Sequence, residues 1–264
     1  MQPTALVLRI YFFVVLCLTL WVGYWGFFHP EQIQTALPWP VPPLHARFIG
    51  AIYLGATTFL ALSILRPARL AVRTVARIAM WWTGWLLGVT FLHWGTFDFA
   101  RTQVWFWVLA YIAFPIVAAW VSWATRAEPV PLGVGIREPW ITATLRALGA
   151  VLVVLGLGFF GLPEQVSALW PWKISPFLAQ IYSGPLIGLG VGMWALGARR
   201  NWPETLYPMA GLLVASALSI MGSLRHLALF TPGSLSLYVW FGTLALLALF
   251  SSYLVLRAAG AARQ

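Results

Sequence analysis

The chain has 264 residues, of which 61% are hydrophobic and only 8% charged. Soluble domains carry about 25% charged residues, so a water-soluble globular fold is excluded and lipid is the solvent this composition fits. The net charge of +10 comes from 16 basic and 6 acidic side chains strung between apolar runs, which makes them topology signals and not a nucleic-acid surface.

A helix needs about 20 mainly apolar residues to cross a bilayer. The sequence predicts eight such spans: Leu8–Phe28, Leu44–Leu65, Val75–Trp94, Gln103–Thr125, Trp140–Gly161, Phe177–Gly197, Thr205–Phe230 and Leu235–Arg257. The first carries a single arginine, Arg9, at its start and shows no small-residue cleavage site, so it reads as a retained span and not a signal peptide. It holds the only cysteine, Cys17, so no intramolecular disulfide can form. The seventh carries Pro208 in its first turn and is long enough to tilt or to start later.

Arginine and lysine in the connections set the orientation. Arg9, Arg66, Arg69, Arg73, Arg77, Arg126, Arg137, Arg146, Arg199, Arg200, Arg257 and Arg263 fall on the side of the termini. Arg47, Arg101, Lys173 and Arg225 fall on the other. The bias predicts cytoplasmic termini. The segment 126–139, RAEPVPLGVGIREP, is the longest polar connection and reads as a linker between halves spanning residues 1–125 and 140–264.

The halves repeat each other. Residues 30–43 read PEQIQTALPWPVPP and residues 163–176 read PEQVSALWPWKISP, so the second copy starts 133 residues after the first with no gap. At the same offset Gly23 meets Gly156, Phe27 meets Phe160, Gly55 meets Gly188, Arg66 meets Arg199, His93 meets His226, Phe97 meets Phe230 and Trp107 meets Trp240. Four spans per half is an even number, so the halves are expected to insert in the same direction, with a pseudo-twofold axis along the membrane normal.

In the repeated stretch, Pro30 suits a first helical position and Glu31 the positive end of a helix. This predicts a two-turn helix on the outer surface, with Ile33, Ala36 and Leu37 on one face, followed by a proline-fixed re-entry into the next span. Trp39 and Trp172 fit the interfacial aromatic belt. The plain reading is a rigid connection. The functional reading is a pair of lids over a cavity, with Glu31 and Glu164 at its mouth.

His93 and Phe97, like His226 and Phe230, are four residues apart, which on an α-helix puts them on one face. Two neutral imidazoles from facing helices could hold a b-type haem, with Arg225 toward a propionate. A histidine near a helix end is more commonly a hydrogen-bonded interfacial residue, and a place on the rim of a polar pocket lies between these readings. His29 and His45 meet Leu162 and Leu178 across the repeat, so they fit a symmetric site less well.

Gly184, Gly188 and Gly192 recur every fourth residue, Ala51 and Gly55 occupy the first two of those places in the other half, and Gly84 and Gly88 show the same spacing. Small residues at this spacing let helices approach closely, so the second and sixth spans are expected to be central or tightly paired. Pro115 and Pro185 are expected to kink their helices. Seventeen tryptophans furnish an interfacial belt, and an aromatic pocket for a lipid, quinone or pigment is compatible with them. The middle of every span lacks Asp, Glu, Lys and Arg, which argues against ion coupling through a titrating side chain. Glu128, Glu138 and Glu204 read as solvated loop acids beside arginines. No nucleophile–base pair, zinc-ligand spacing or phosphate loop is present.

The strings PWPVPPLHARFIGA (Pro38–Ala51) and LHWGTFDFARTQVWFW (Leu92–Trp107) resemble motifs of uncharacterised bacterial multi-span membrane proteins. That resemblance implies a bacterial membrane protein and no particular activity. The second half departs from it, with Gln180 in place of Arg47 and no counterpart of Asp98 or Arg101.

The expectation is therefore an all-α polytopic membrane protein, eight helices in two tandem four-helix repeats, in a bacterial inner membrane. The leading function is non-enzymatic binding or passage of a small apolar or amphipathic molecule at an outer-leaflet pocket. His93, His226, Phe97, Phe230, Trp39, Trp172, Glu31, Glu164 and Arg225 are its candidate residues. The rivals are a redox protein holding haem between His93 and His226, and a subunit of a membrane complex with the glycine faces as interfaces.

Overall fold

A computed structural model describes residues 5–33, 37–66, 69–126 and 135–261. The regular elements within them are helical: α1 (Ala5–Phe28), α2 (Pro30–Ile33), α3 (Pro43–Leu65), α4 (Arg69–Leu92), α5 (Thr102–Ala124), α6 (Pro139–Gly161), α7 (Pro163–Leu169), α8 (Pro176–Arg199), α9 (Trp202–Arg225) and α10 (Leu235–Ala261). Eight of these are long and apolar enough to cross a bilayer, which makes the chain a multi-pass membrane protein. Most of the 126–139 connection and Ala36 of the expected surface helix, together with Glu128, lie outside the described residues.

Local chemistry starts and stops the helices. Proline opens α3, α6, α7 and α8, where a missing N–H costs nothing. Ser175 caps α8 by accepting from the Leu178 N–H at 3.3 Å, and Asn201 caps α9 by accepting from the Glu204 N–H at 3.0 Å. Between those two spans Arg200 turns the chain in the left-handed region, at φ 54°.

Four helices form the centre, α3, α4, α8 and α9. α3 packs on α9 and α4 on α8, while α4 also touches α9. Outside them α1 covers α3, α5 covers α4, α6 covers α8 and α10 covers α9. The main apolar core draws residues from both sides, such as Phe59 and Trp82 with Phe159 and Tyr182. The second and sixth spans are thus central, but each is paired chiefly with a different partner.

The glycine stripes explain how close the centre packs. A Cβ on Gly55 would lie 2.6 Å from the Gly211 carbonyl oxygen, and one on Gly211 would lie 2.6 Å from that of Gly55. Where α8 crosses α4, Gly184 faces Leu86, Gly188 faces Trp82 and Gly192 faces Ile78. Ala51 is fully buried. The expected third stripe does not behave this way: a Cβ on Gly88 would meet no described atom within 4 Å, and one on Gly84 would meet only Pro115, at 3.6 Å. Gly88 is exposed, on a face of α4 that no described helix covers.

Glu204 is a second correction. It is fully buried, not solvated: Arg73 and the Thr74 hydroxyl bond to its carboxylate, Asn201 Nδ2 donates at 2.9 Å and Arg199 approaches to 3.7 Å. α4 begins at Arg69, six residues before the apolar run, because Arg73 and Thr74 turn inward to meet this carboxylate. Glu138, by contrast, forms the expected surface pair, with Arg257. The end of the connection is pinned beside it, where the Ile136 N–H donates to the Arg200 carbonyl at 2.7 Å.

Candidate functional site

At the face opposite the termini, both histidines sit just past the end of a helix. α4 ends at Leu92 and α9 at Arg225, and each is followed by a single 3-10 turn, Trp94–Thr96 and Leu227–Leu229. His93 (φ −106°, ψ 23°) and His226 (φ −121°, ψ 27°) open these turns with nearly the same backbone. The expected shared α-helical face with Phe97 and Phe230 is therefore replaced by a turn, after which each phenylalanine is extended and buried. Phe97 packs edge-on to Trp39 (6.2 Å) and Phe230 edge-on to Trp172 (5.4 Å).

The two histidines do not share a partner. His93 Nε2 meets Gln180 Oε1 at 2.5 Å, and Gln180 Nε2 donates to the Phe160 carbonyl at 2.9 Å. His226 Nε2 accepts from Arg47 Nε at 3.0 Å, and Arg47 also donates to the Phe27 carbonyl. These are the same contacts at the 133-residue offset, with Arg47 in the place of Gln180. The bonding fixes opposite tautomers: His93 must donate from Nε2 to an amide oxygen, whereas His226 accepts at Nε2 and keeps its proton on Nδ1. The Nε2 lone pair that a haem iron would take from His226 is thus held by a guanidinium, and Nε2 of His93 carries a proton.

Between the two proline-rich connections lies a cavity of about 800 Å³. Its lining includes Trp39 to Pro43 from one connection, Trp172, Lys173 and Ser175 from the other, and His45, Phe177 and His226. Of the expected residues it gathers Trp39, Trp172 and His226. His93, Glu31, Glu164 and Arg225 are not in its lining; the last three are exposed on the same face.

Trp39 and Trp172 correct a further expectation. They are not belt residues at the lipid interface but are 7% and 4% exposed. Neither indole N–H has a hydrogen-bond partner among the described residues. A buried donor left unpaired costs about 1–3 kcal/mol, and here two such donors occur at equivalent positions, on residues that line one cavity.

His45 is a residue that the repeat pattern does not reveal. It is buried, with Nδ1 2.7 Å from the Tyr182 hydroxyl and Nε2 3.0 Å from the Lys173 carbonyl. Since the carbonyl can only accept, Nε2 donates and Nδ1 accepts from the tyrosine. His45 so ties α3 to α8 and to the second connection. Its absence from the repeat hides it; its place directly after Pro42-Pro43, at the mouth of a span, is the available signal. Changing His45 to Phe is expected to remove both bonds and to lower stability by about 1–3 kcal/mol, read as a lower melting temperature in detergent.

Burial, and then the Arg47 and Arg225 charges, push His226 below the ordinary histidine value, with Glu31 opposing them. A depressed folded-state value means that this contribution to stability is present above about pH 6.5 and is lost as pH falls through the lowered value. Thermal melts between about pH 7.5 and 5 are expected to show a loss of stability on acidification. A His226→Gln variant, which still offers Arg47 an acceptor, should lack that component.

Comparison of the chain with protein-family models, curated proteins and solved structures gives no match.

Proposed function

We propose that this protein binds a small amphipathic molecule in the cavity between the two proline-rich connections, at the outer leaflet of a bacterial inner membrane. The carrying observation is the cavity itself, lined at equivalent positions by Trp39 and Trp172, whose buried indole N–H groups have no partner among the described residues. An indole turned toward the cavity would donate to a ligand oxygen, while Lys173 at the rim and Arg47 and Arg225 nearby favour a head that is rich in acceptors or anionic. Phe177, Val41 and the prolines supply apolar wall.

The same reading takes the chain as two parallel four-helix repeats with both termini in the cytoplasm. Supporting it are the matched helix pairings across the halves, the arginine bias, and the recurrence of the Arg47–His226 contact as Gln180–His93.

Calorimetric titration of detergent-purified protein tests the proposal with two probes, dioctanoyl phosphatidic acid and uncharged dioctanoylglycerol. Wild type is expected to bind the first saturably and more tightly than the second. Trp39→Phe with Trp172→Phe, which keeps the aromatic packing, should weaken it by about tenfold or more. Equal binding by wild type and the double variant would sink the proposal.

A further inference from the structure

A second cavity opens sideways from the first four spans. It has a volume of about 110 Å³ and lies among α1, α3, α4 and α5. Trp21 of α1 and Phe106 of α5, both exposed, flank its mouth, so it opens toward the hydrocarbon of the bilayer. Its walls are mostly apolar, with Thr19, Thr83 and Gln103 among the lining residues, and they carry one pair of facing hydroxyls. Tyr53 and Tyr111 point their hydroxyls at each other, 2.6 Å apart. Only one hydrogen can lie between two hydroxyl oxygens, and the hydroxyl that accepts it keeps its own hydrogen free to donate. Either tyrosine can be the one that accepts; Tyr111 is 7% exposed and Tyr53 half-buried, so the free hydrogen points within the crevice and its lipid-facing mouth.

Depth and shape narrow what could accept it. Tyr53 is ten residues into α3 and Tyr111 nine into α5, about 15 and 14 Å below the histidine-bearing ends at 1.5 Å per residue. In a hydrocarbon core about 30 Å thick, that is the midplane. The ester carbonyls of bilayer lipids sit at the interface, half a bilayer away. A ring carbonyl on a molecule that dissolves in the hydrocarbon reaches this depth unaided. The wall beside the hydroxyls is aromatic: Trp107 and Tyr111 rings lie 4.0 Å apart, and Trp82 stands edge-on to Tyr53 at 5.6 Å. The volume is below the roughly 150 Å³ of an enclosed cavity that holds benzene, but an open mouth lets a ring enter edgewise and leave its tail in lipid. The site belongs to one half only, because Leu186 and Leu244 stand at the positions equivalent to Tyr53 and Tyr111.

We propose that this crevice binds a neutral carbonyl-bearing ring with a hydrocarbon tail, of the quinone class, through one hydrogen bond from the Tyr53–Tyr111 pair to a ring carbonyl. The proposal is independent of the outer cavity. Calorimetric titration of the detergent-purified full chain with decylubiquinone tests it, with methyl decanoate as the ester-carbonyl control and circular dichroism as the check on folding. Wild type is expected to bind decylubiquinone saturably, and methyl decanoate should not displace it. Tyr53→Phe with Tyr111→Phe should weaken binding about three- to tenfold. Ala110→Phe, which fills the crevice and leaves both hydroxyls in place, should abolish it, so the proposal stays testable if the double variant does not fold. Trp172→Phe, whose ring neighbours lie outside this crevice, should leave it unchanged. The proposal is overturned by the absence of saturable binding to folded wild type, by undiminished binding in folded Ala110→Phe, by displacement with methyl decanoate, or by an equal loss in Trp172→Phe.

Discussion

Replacing Glu204 by leucine is expected to cost about 3–5 kcal/mol, the largest single-site loss foreseen in this molecule. The carboxylate is fully buried, and the Arg73 side chain that pairs with it is 3% exposed. Taking the acid away removes the countercharge that Glu204 gives the Arg73 guanidinium in a site water does not reach. The Thr74 hydroxyl and Asn201 Nδ2 lose their acceptor as well. Glu204→Gln should cost less, since an amide oxygen still accepts. Arg73→Met together with Glu204→Leu should recover much of the loss, because an apolar pair has no desolvation to repay. Melting curves in detergent decide the matter: a Glu204→Leu protein that melts with wild type would mean that Arg73 finds another counterion.

The second large effect is expected at Gly55. A leucine there would drive its Cβ to 2.6 Å from the Gly211 carbonyl and 2.8 Å from the Ala215 Cβ. The first obstacle is backbone and cannot turn aside, so α3 and α9 must separate along their length. Overpacking of a core costs about 1–3 kcal/mol, and here it is combined with the loss of a contact between the two sides of the molecule. Gly88→Leu is the matched control, since nothing described lies near that position. If the two variants melt alike, the close approach of α3 and α9 is not a source of stability.

The number of spans is legible in the sequence because about 20 apolar residues is a strong signal. Their ends are less so. Hydropathy places the start of the third span after Arg73, since it scores a charge as solvated; the partner Glu204, 131 residues away in sequence, lets that arginine be buried. The repeat pairs His93 with His226 but cannot show what they bond to. Their partners, Gln180 and Arg47, are chemically different side chains at equivalent positions, and matching identities discards such pairs. His45 escapes a search for symmetric residues for the same reason. Likewise residue type alone puts Trp39 and Trp172 at the interface, whereas Phe97, Trp107 and Phe177 enclose the first and Trp170, Phe230 and Trp240 the second.

The pairing of α3 with α9 and of α4 with α8 has a consequence for biosynthesis. Consecutive central helices touch only lightly, and each waits for a partner that is translated more than a hundred residues later. When the first four spans have entered the membrane, the glycine face of α3 still meets lipid and Arg73 lacks the Glu204 carboxylate. Assembly is therefore a late event, completed when α9 brings Gly211 and Glu204 into place together.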